Sequence, residues 1–342
     1  MNPDRSEDQH PGGDGVTRPD GAPMRILIVK TSSLGDVVHN LPMVSDIRAR
    51  IPRARIDWLV ERAFADIPAL HAGVHAVIPI ELRRWLRAPW KASTWQGLGD
   101  CRKHLRAQRY DLILDSQGLL KSALAARLAR GPVYGPDPRS AREGLAGFLY
   151  TRGLPMRWDQ HAVSRNRALA AAALAYPVPA DAPDYGIDPP DVLARRGPYC
   201  VALHATSRDS KRWPADHWIA LARALADHGL TTLLPSGSAR EQADAEAIAR
   251  GIGPQAQALP RQRIRDLAAI LGQAQAVIGV DTGLVHLAAA LGRPTVGIFR
   301  ASDPAQTGVL AGDRARNLGG FGACPPVQAV VAALKDLGVL PS

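Results

Sequence analysis

Cysteine is scarce: Cys101, Cys200 and Cys324 are the only three in 342 residues, and none stands in C-x-x-C spacing. That excludes a disulfide framework and a cysteine-held zinc site, and it fits a reducing cytoplasm. No apolar run approaches the roughly 20 residues that a membrane span needs, so a soluble or peripheral protein is expected. Aromatic residues are just 5% of the chain. With no helix-turn-helix, RNP or OB-type signature beside them, no nucleic-acid partner is expected. The patterns G-x-G-x-x-G, G-x-x-x-x-G-K-[ST], G-x-S-x-G and H-E-x-x-H are all absent. Asp-x-Asp is missing too, which removes the usual means by which a metal bridges a nucleotide diphosphate, so no metal site is expected.

What is present begins with charge. The formal net charge is +10. Residues 24–175 hold 24 Lys/Arg against 12 Asp/Glu, residues 176–342 hold 16 against 15, and the first 23 residues carry a net −3. The basic surplus therefore lies in the first half, whose surface would attract nucleic acid, anionic lipid or a phosphorylated substrate. Residues 1–23 are polar and rich in Gly, Pro and Asp, without the apolar centre of a secretory signal. They read as a disordered tail or an upstream start, with the folded chain beginning at Met24.

Short apolar runs alternate with helical patterns. They are "RILIVK" (25–30), "RIDWLV" (55–60), "AVIPI" (76–80), "YDLILDS" (110–116) and "GPVYG" (131–135), then "YCVALHAT" (199–206), "LTTLLPSG" (230–237), "AVIGVD" (276–281) and "TVGIF" (295–299). This alternation predicts an α/β protein of parallel sheets with helices on both faces. The Pro-rich stretch 176–198 divides it into a first domain, 24–175, and a second, 199–342. Two doubly wound domains would place their ligand sites at the carboxyl ends of strands, facing a common cleft.

The strand ends carry the chemistry. After "RILIVK", the loop Thr31-Ser32-Ser33-Leu34-Gly35 leads into a helix at Asp36. Asp36 either caps that helix or projects into the cleft as a general base. Thr206, Ser207, Arg208 and Lys211 follow a strand, where hydroxyls and cations suit a diphosphate. Glu241 closes a Ser238-x-x-Glu241 capping box, or holds sugar hydroxyls. Asp281-Thr282-Gly283, with His286 one turn on, forms a helix N-terminus suited to an anion. In the basic half, Arg83, Arg84, Arg87 and Lys91 surround Trp85 and Trp90, while Gln117, Lys121 and Arg142 lie in loops and helix starts. Together these suggest an acidic, amphiphilic ligand, with Trp85 and Trp90 at a membrane interface.

The stretches "MRILIVKTSSLGDVVHNLP", "HATSRDSKRWP" and "GVDTGLVHLAAALGRPTVGIF" resemble the bacterial lipopolysaccharide heptosyltransferases. "IELRRW", "DSQGLLKSALAARLA" and "QHAVSRNR" are similar to the type I inner-core enzymes rather than type II. The resemblance implies the GT-B architecture, two Rossmann-like domains around a central cleft, with the extreme C-terminus able to pack back on the first. It implies transfer of L-glycero-D-manno-heptose, with inversion, from ADP-heptose to the first Kdo of Kdo2-lipid A. A cytoplasmic, peripheral enzyme on the inner face of the inner membrane is expected. It would be a monomer requiring no cofactor, with divalent-ion stimulation left open. Carried over, the catalytic base falls on Asp36. Donor contacts fall on Thr206, Ser207, Lys211, Ser236, Glu241, Asp281, Thr282, Gly283 and His286. Acceptor contacts fall on Arg83, Arg84, Gln117, Lys121 and Arg142. Arg300 departs from the family pattern, which has a small residue there. A type II enzyme or a nucleotide-sugar epimerase on the same architecture is the alternative.

Overall fold

The computed structural model describes residues 21–190, 197–206 and 208–341. Twelve strands form two separate six-stranded sheets, parallel throughout. The first contains β1 (Arg25–Val29), β2 (Arg55–Glu61), β3 (Val74–Ile80), β4 (Leu112–Asp115), β5 (Val133–Pro136) and β6 (Arg152–Leu154), in the order β3-β2-β1-β4-β5-β6. The second contains β7 (Tyr199–Leu203), β8 (Thr231–Leu234), β9 (Ala256–Ala258), β10 (Ala276–Val280), β11 (Thr295–Phe299) and β12 (Ala315–Gly319). Its order, β9-β8-β7-β10-β11-β12, repeats that of the first. Each chain path therefore reverses direction beside its first strand, between β1 and β4 and again between β7 and β10. That is where an open α/β sheet leaves a crevice for a ligand.

The helices of the first unit are α1 (Leu34–Val38), α2 (Leu41–Arg50), α3 (Leu82–Arg87), α4 (Ala92–Arg106), α5 (Leu120–Ala126), α6 (Gly144–Gly147) and α7 (Ala162–Leu174). Alternate residues of β1 explain why both faces are covered. Ile26 and Ile28 enter one core with α1, α2 and α7, whereas Leu27 and Val29 enter another with α3 to α6. α2 and α7 are also joined by a buried bidentate ion pair, Arg167 Nε to Asp46 Oδ2 at 2.7 Å and Nη2 to Oδ1 at 3.0 Å.

The second unit carries α8 (Ala215–Ala226), α9 (Ala239–Ile252), α10 (Ile264–Gln273), α11 (Gly283–Ala290), α12 (Pro304–Thr307) and α13 (Val327–Asp336). α11 approaches its sheet closely because its inner face is Val285, Ala288 and Ala289. Gly279 of β10 completes the fit, since a methyl there would lie 3.3 Å from Val285 Cβ of α11. α13 packs mainly on α8, β11 and β12, its own unit. This corrects the expectation that the C-terminus packs back on the first unit; Val330, Ala333 and Leu334 are buried in the second core instead.

The Pro-rich connection bridges the units. Ile187 pairs with His71 of the first, while Pro189 packs under Gly272 of the second. Tyr185 donates to the Leu310 carbonyl at 2.9 Å, and His161 Nε2 lies 3.0 Å from the Gly308 carbonyl. The units also touch where the two crevices face each other, through α1 and α11.

Candidate active site

The β1–α1 loop is built from both sides of the first crevice. Gln117, just beyond β4, accepts from the backbone N–H and the hydroxyl of Thr31, each at 2.8 Å. Lys30, at the end of β1, is buried and donates to the Ser116 carbonyl at 2.9 Å. Burial pulls the Lys30 ammonium down to about 8, against the attraction of Asp36. Ser33 then starts α1, and Asp36 Oδ2 accepts from its N–H at 3.0 Å and its hydroxyl at 2.9 Å. The second oxygen of Asp36, Oδ1, accepts from Arg142 Nη2 at 3.2 Å. The capping reading of Asp36 holds, since it closes a capping box, and its side chain remains 22% exposed. Burial opposes its charge, but Lys30, Arg142 and the Ser33 N–H outweigh that and hold the carboxyl well below the ordinary range.

Across the cleft stands the N-terminus of α11. A methyl added to Gly35 would lie 3.2 Å from His286 Cδ2, and one added to Gly283 would lie 2.4 Å from Leu34 Cδ2. The His39 and His286 rings meet edge to face with centroids 4.4 Å apart, and the His161 ring also meets His39 edge to face, at 5.5 Å. Asp281 organises the second crevice. Its Oδ2 accepts from Lys211 Nζ and from the Ser302 hydroxyl, both at 2.5 Å, and His286 Nε2 lies 4.0 Å from Oδ1. Burial again opposes the charge, yet these donors hold the Asp281 carboxyl well below its usual value. Thr206 reaches the Asp281 carbonyl at 3.4 Å. Thr206, Lys211, Asp281, Thr282, Gly283 and His286 therefore form one corner, whereas Ser207 lies outside the described residues.

Beside that corner is a cavity of about 720 Å³ whose wall includes Leu34 and Asp66 of the first unit with Thr206, Gly237, Glu241, Ile264 and Thr282 of the second. Ser238 caps α9 through the Glu241 N–H, but Glu241 Oε2 accepts from the Gly237 N–H at 2.7 Å, one residue before the cap, so the expected reciprocal capping box is not completed. Ser236 is buried, its hydroxyl turned to Gln242 Oε1 at 2.5 Å. Apolar walls with a carboxylate at one end suit a nucleoside.

The basic face is less compact. Arg84 pairs with Glu81 at 3.0 Å while 58% exposed, Arg83 lies over Phe64, and Lys121 is partly exposed on α5. Two expectations need correction. Trp85 is only 7% exposed and packs in the core under α4, so it does not stand at a surface as expected, whereas Trp90 is 76% exposed. Gln117 is 3% exposed and its amide oxygen braces the Thr31 loop, not an acceptor.

The sequence reading assigned no role to Lys30, His39, His161, Trp158 or Arg165. Arg142 and Arg165 both lie against the Trp158 ring, at 5.7 and 4.5 Å from its centroid. "QHAVSRNR" contained His161 and Arg165, but nothing local tied them to Asp36. Arg300 turns away from the cleft, toward the carbonyls of Arg212 and Ala323.

Residues 99–330 match the family model of glycosyltransferase family 9 (heptosyltransferase). Lipopolysaccharide heptosyltransferase 1 of Pseudomonas aeruginosa is 43% identical over 309 residues, 89% of this chain and 86% of that protein. The structure of E. coli heptosyltransferase WaaC with ADP is similar with a TM-score of 0.86 at 40% identity, covering 92% of this chain and 100% of that one. WaaC with ADP-2-deoxy-2-fluoro heptose gives a TM-score of 0.82 over 92% of this chain and 99% of that one, again at 40% identity.

Proposed function

Because this chain belongs to glycosyltransferase family 9, the heptosyltransferases, we propose that it moves L-glycero-D-manno-heptose from ADP-heptose to the first Kdo of Kdo2-lipid A, with inversion. The enzyme is a glycosyltransferase of GT-B architecture. The observation that supports the finer reading is the meeting of α1 and α11: the helix that carries the partly exposed carboxylate Asp36 lies against the N-terminus of the helix that carries Gly283 and His286.

In this reading ADP-heptose lies along the second crevice. Its nucleoside enters the 720 Å³ cavity, with Glu241 on the ribose hydroxyls and Ser236 behind. Its diphosphate meets Thr206, Ser207, Lys211 and the N–H groups at Thr282 and Gly283, where a helix N-terminus favours anions. Lys211 then exchanges its Asp281 partner for phosphate. The acceptor hydroxyl attacks the heptose C1 and gives its proton to Asp36. The C1–O bond to phosphate breaks, and its electron pair leaves with ADP, stabilised by those donors. Inversion follows from a single displacement.

The acceptor approaches over the basic unit, with Arg83, Arg84, Lys121 and Arg142 supplying cations for carboxylate and phosphate. The layer α3 to α6 supports a peripheral seat at the inner face of the inner membrane. Its outer side exposes Leu86, Trp90, Trp95, Leu145 and Phe148, and residues 82–148 hold 13 Lys/Arg against 5 Asp/Glu. Among the described residues no helix is long and apolar enough to cross a membrane.

The test is mass spectrometry of purified enzyme with ADP-heptose and de-acylated Kdo2-lipid A. Product heavier by one heptose is expected. Turnover of ADP-heptose to an isomer without acceptor would favour an epimerase and overturn the reading.

A further inference from the structure

The hydrogen bonds of Asp36 hold its carboxylate in a form ill suited to accept a proton. Ser33 supplies two donors to Oδ2, so Oδ1 is the oxygen left for a substrate hydroxyl. That oxygen is already paired with Arg142, on the loop between β5 and α6. Among the described residues Arg142 pairs with no other carboxylate: its side chain is 36% exposed and also lies against the Trp158 ring. Arg165 occupies that same ring and is buried, with a hydrogen bond at 2.5 Å to the Gln160 carbonyl. Around Asp36 there are therefore three cations, Lys30 just after β1, Arg142 from its loop and Arg165 from α7, and the neutral imidazole of His39 at the C-terminal cap of α1. His286 of α11 faces that imidazole from the second unit. Even with Arg142 removed, Lys30 and Arg165 would keep the carboxylate ionised near neutral pH.

We propose that Arg142 masks the base Asp36 until an anionic acceptor draws the guanidinium away, so that the acceptor's own carboxylate arms the reaction. This rests on the heptosyl-transfer reading and adds to it a gate against wasteful hydrolysis. The exchange is nearly balanced, because a guanidinium leaves one carboxylate for another of the same chemistry. When it leaves, Oδ1 regains its lone pairs and its basicity, and the acceptor hydroxyl is held where that oxygen points. Water entering the same site before the acceptor finds the oxygen occupied. In the side reaction thereby suppressed, water attacks C1, its proton passes to Asp36, and ADP departs with the bonding pair.

The experiment compares wild type, Arg142→Gln and Arg142→Lys in two assays, transfer to de-acylated Kdo2-lipid A and release of ADP from ADP-heptose without acceptor. Arg142→Gln should raise acceptor-independent ADP release about three- to tenfold, as expected for a base of greater basicity. It should also raise the acceptor KM by about tenfold or more, from loss of a charged hydrogen bond, and leave the donor KM unchanged. The acidic limb of its kcat/KM profile should move to higher pH, since removing a cation raises the carboxyl pKa. Arg142→Lys should restore low ADP release. An unchanged donor KM also shows that the variant is folded. If ADP release and the acidic limb stay at wild-type values while the acceptor KM rises, Arg142 merely grips the acceptor and the gate is refuted. If wild type itself makes no heptosylated product, the functional reading falls, and the gate with it.

Discussion

His39 of the first unit and His286 of the second touch edge to face, 4.4 Å between centroids, and so lock the two crevices together. The pair reports closure directly, because its members belong to different sheets.

Acid should loosen this lock. Burial, then His286 and His161, push the His39 imidazole well below its ordinary 6.5, against the pull of Asp36 and with Lys30 adding to the shift. An opened cleft would return His39 toward that ordinary value. Below about 6.5 the open form then binds more protons than the closed one, so stability of closure rises with pH and is lost on acidification. Small-angle scattering from pH 8 to 5 should show an increasing radius of gyration, and His39→Gln should flatten that dependence. A pH-independent radius in the wild type would contradict this.

Gly283→Ala should impede the approach of α1 to α11. The new methyl would sit 2.4 Å from Leu34 Cδ2 and 2.7 Å from the Gly35 nitrogen, and the latter is backbone that cannot rotate aside. Overpacking of this kind costs about 1–3 kcal/mol, which lowers kcat by roughly ten- to a hundredfold. Steady-state transfer rates measure it.

Removing the exposed aromatics should weaken membrane seating. Trp90 and Phe148 are 76% and 74% exposed on the layer that also carries the basic surplus. With about 1.5–3 kcal/mol for each large apolar side chain fully buried, the double variant Trp90→Ser/Phe148→Ser should lose about tenfold or more in sedimentation with vesicles containing anionic lipid. Sedimentation equal to wild type would place the membrane contact elsewhere.

The central strands were legible in the sequence because they are buried on both faces. "RILIV", "LILD", "AVIGV" and "TVGIF" are continuous apolar runs, as strands under two helix layers must be. β6, β9 and β12 were not anticipated. They are sheet edges, read RGL, AQA and ARNLG, and leave most of their residues partly or fully exposed, so no apolar run marks them. The corner at the start of α11 was legible for another reason: Asp281, Thr282, Gly283 and His286 are neighbours in the chain. The surroundings of Asp36 were not, since Lys30, Arg142 and Arg165 come from β1, a loop and α7, more than a hundred residues apart at the extremes. The Trp85 error has the same origin. A helix of six residues among arginines reads as surface, yet its one ring, Trp85, is buried in the core.

The most direct test is the transfer rate of Asp36→Asn beside wild type, with donor KM measured in parallel. The amide keeps the shape of the side chain but cannot take the hydroxyl proton. A positioned base contributes about 10²–10⁴-fold, so kcat should fall by at least that order while ADP-heptose still saturates at a similar concentration. Transfer at close to the wild-type rate would mean that the proton goes elsewhere, and that the carboxylate facing the donor corner only caps its helix.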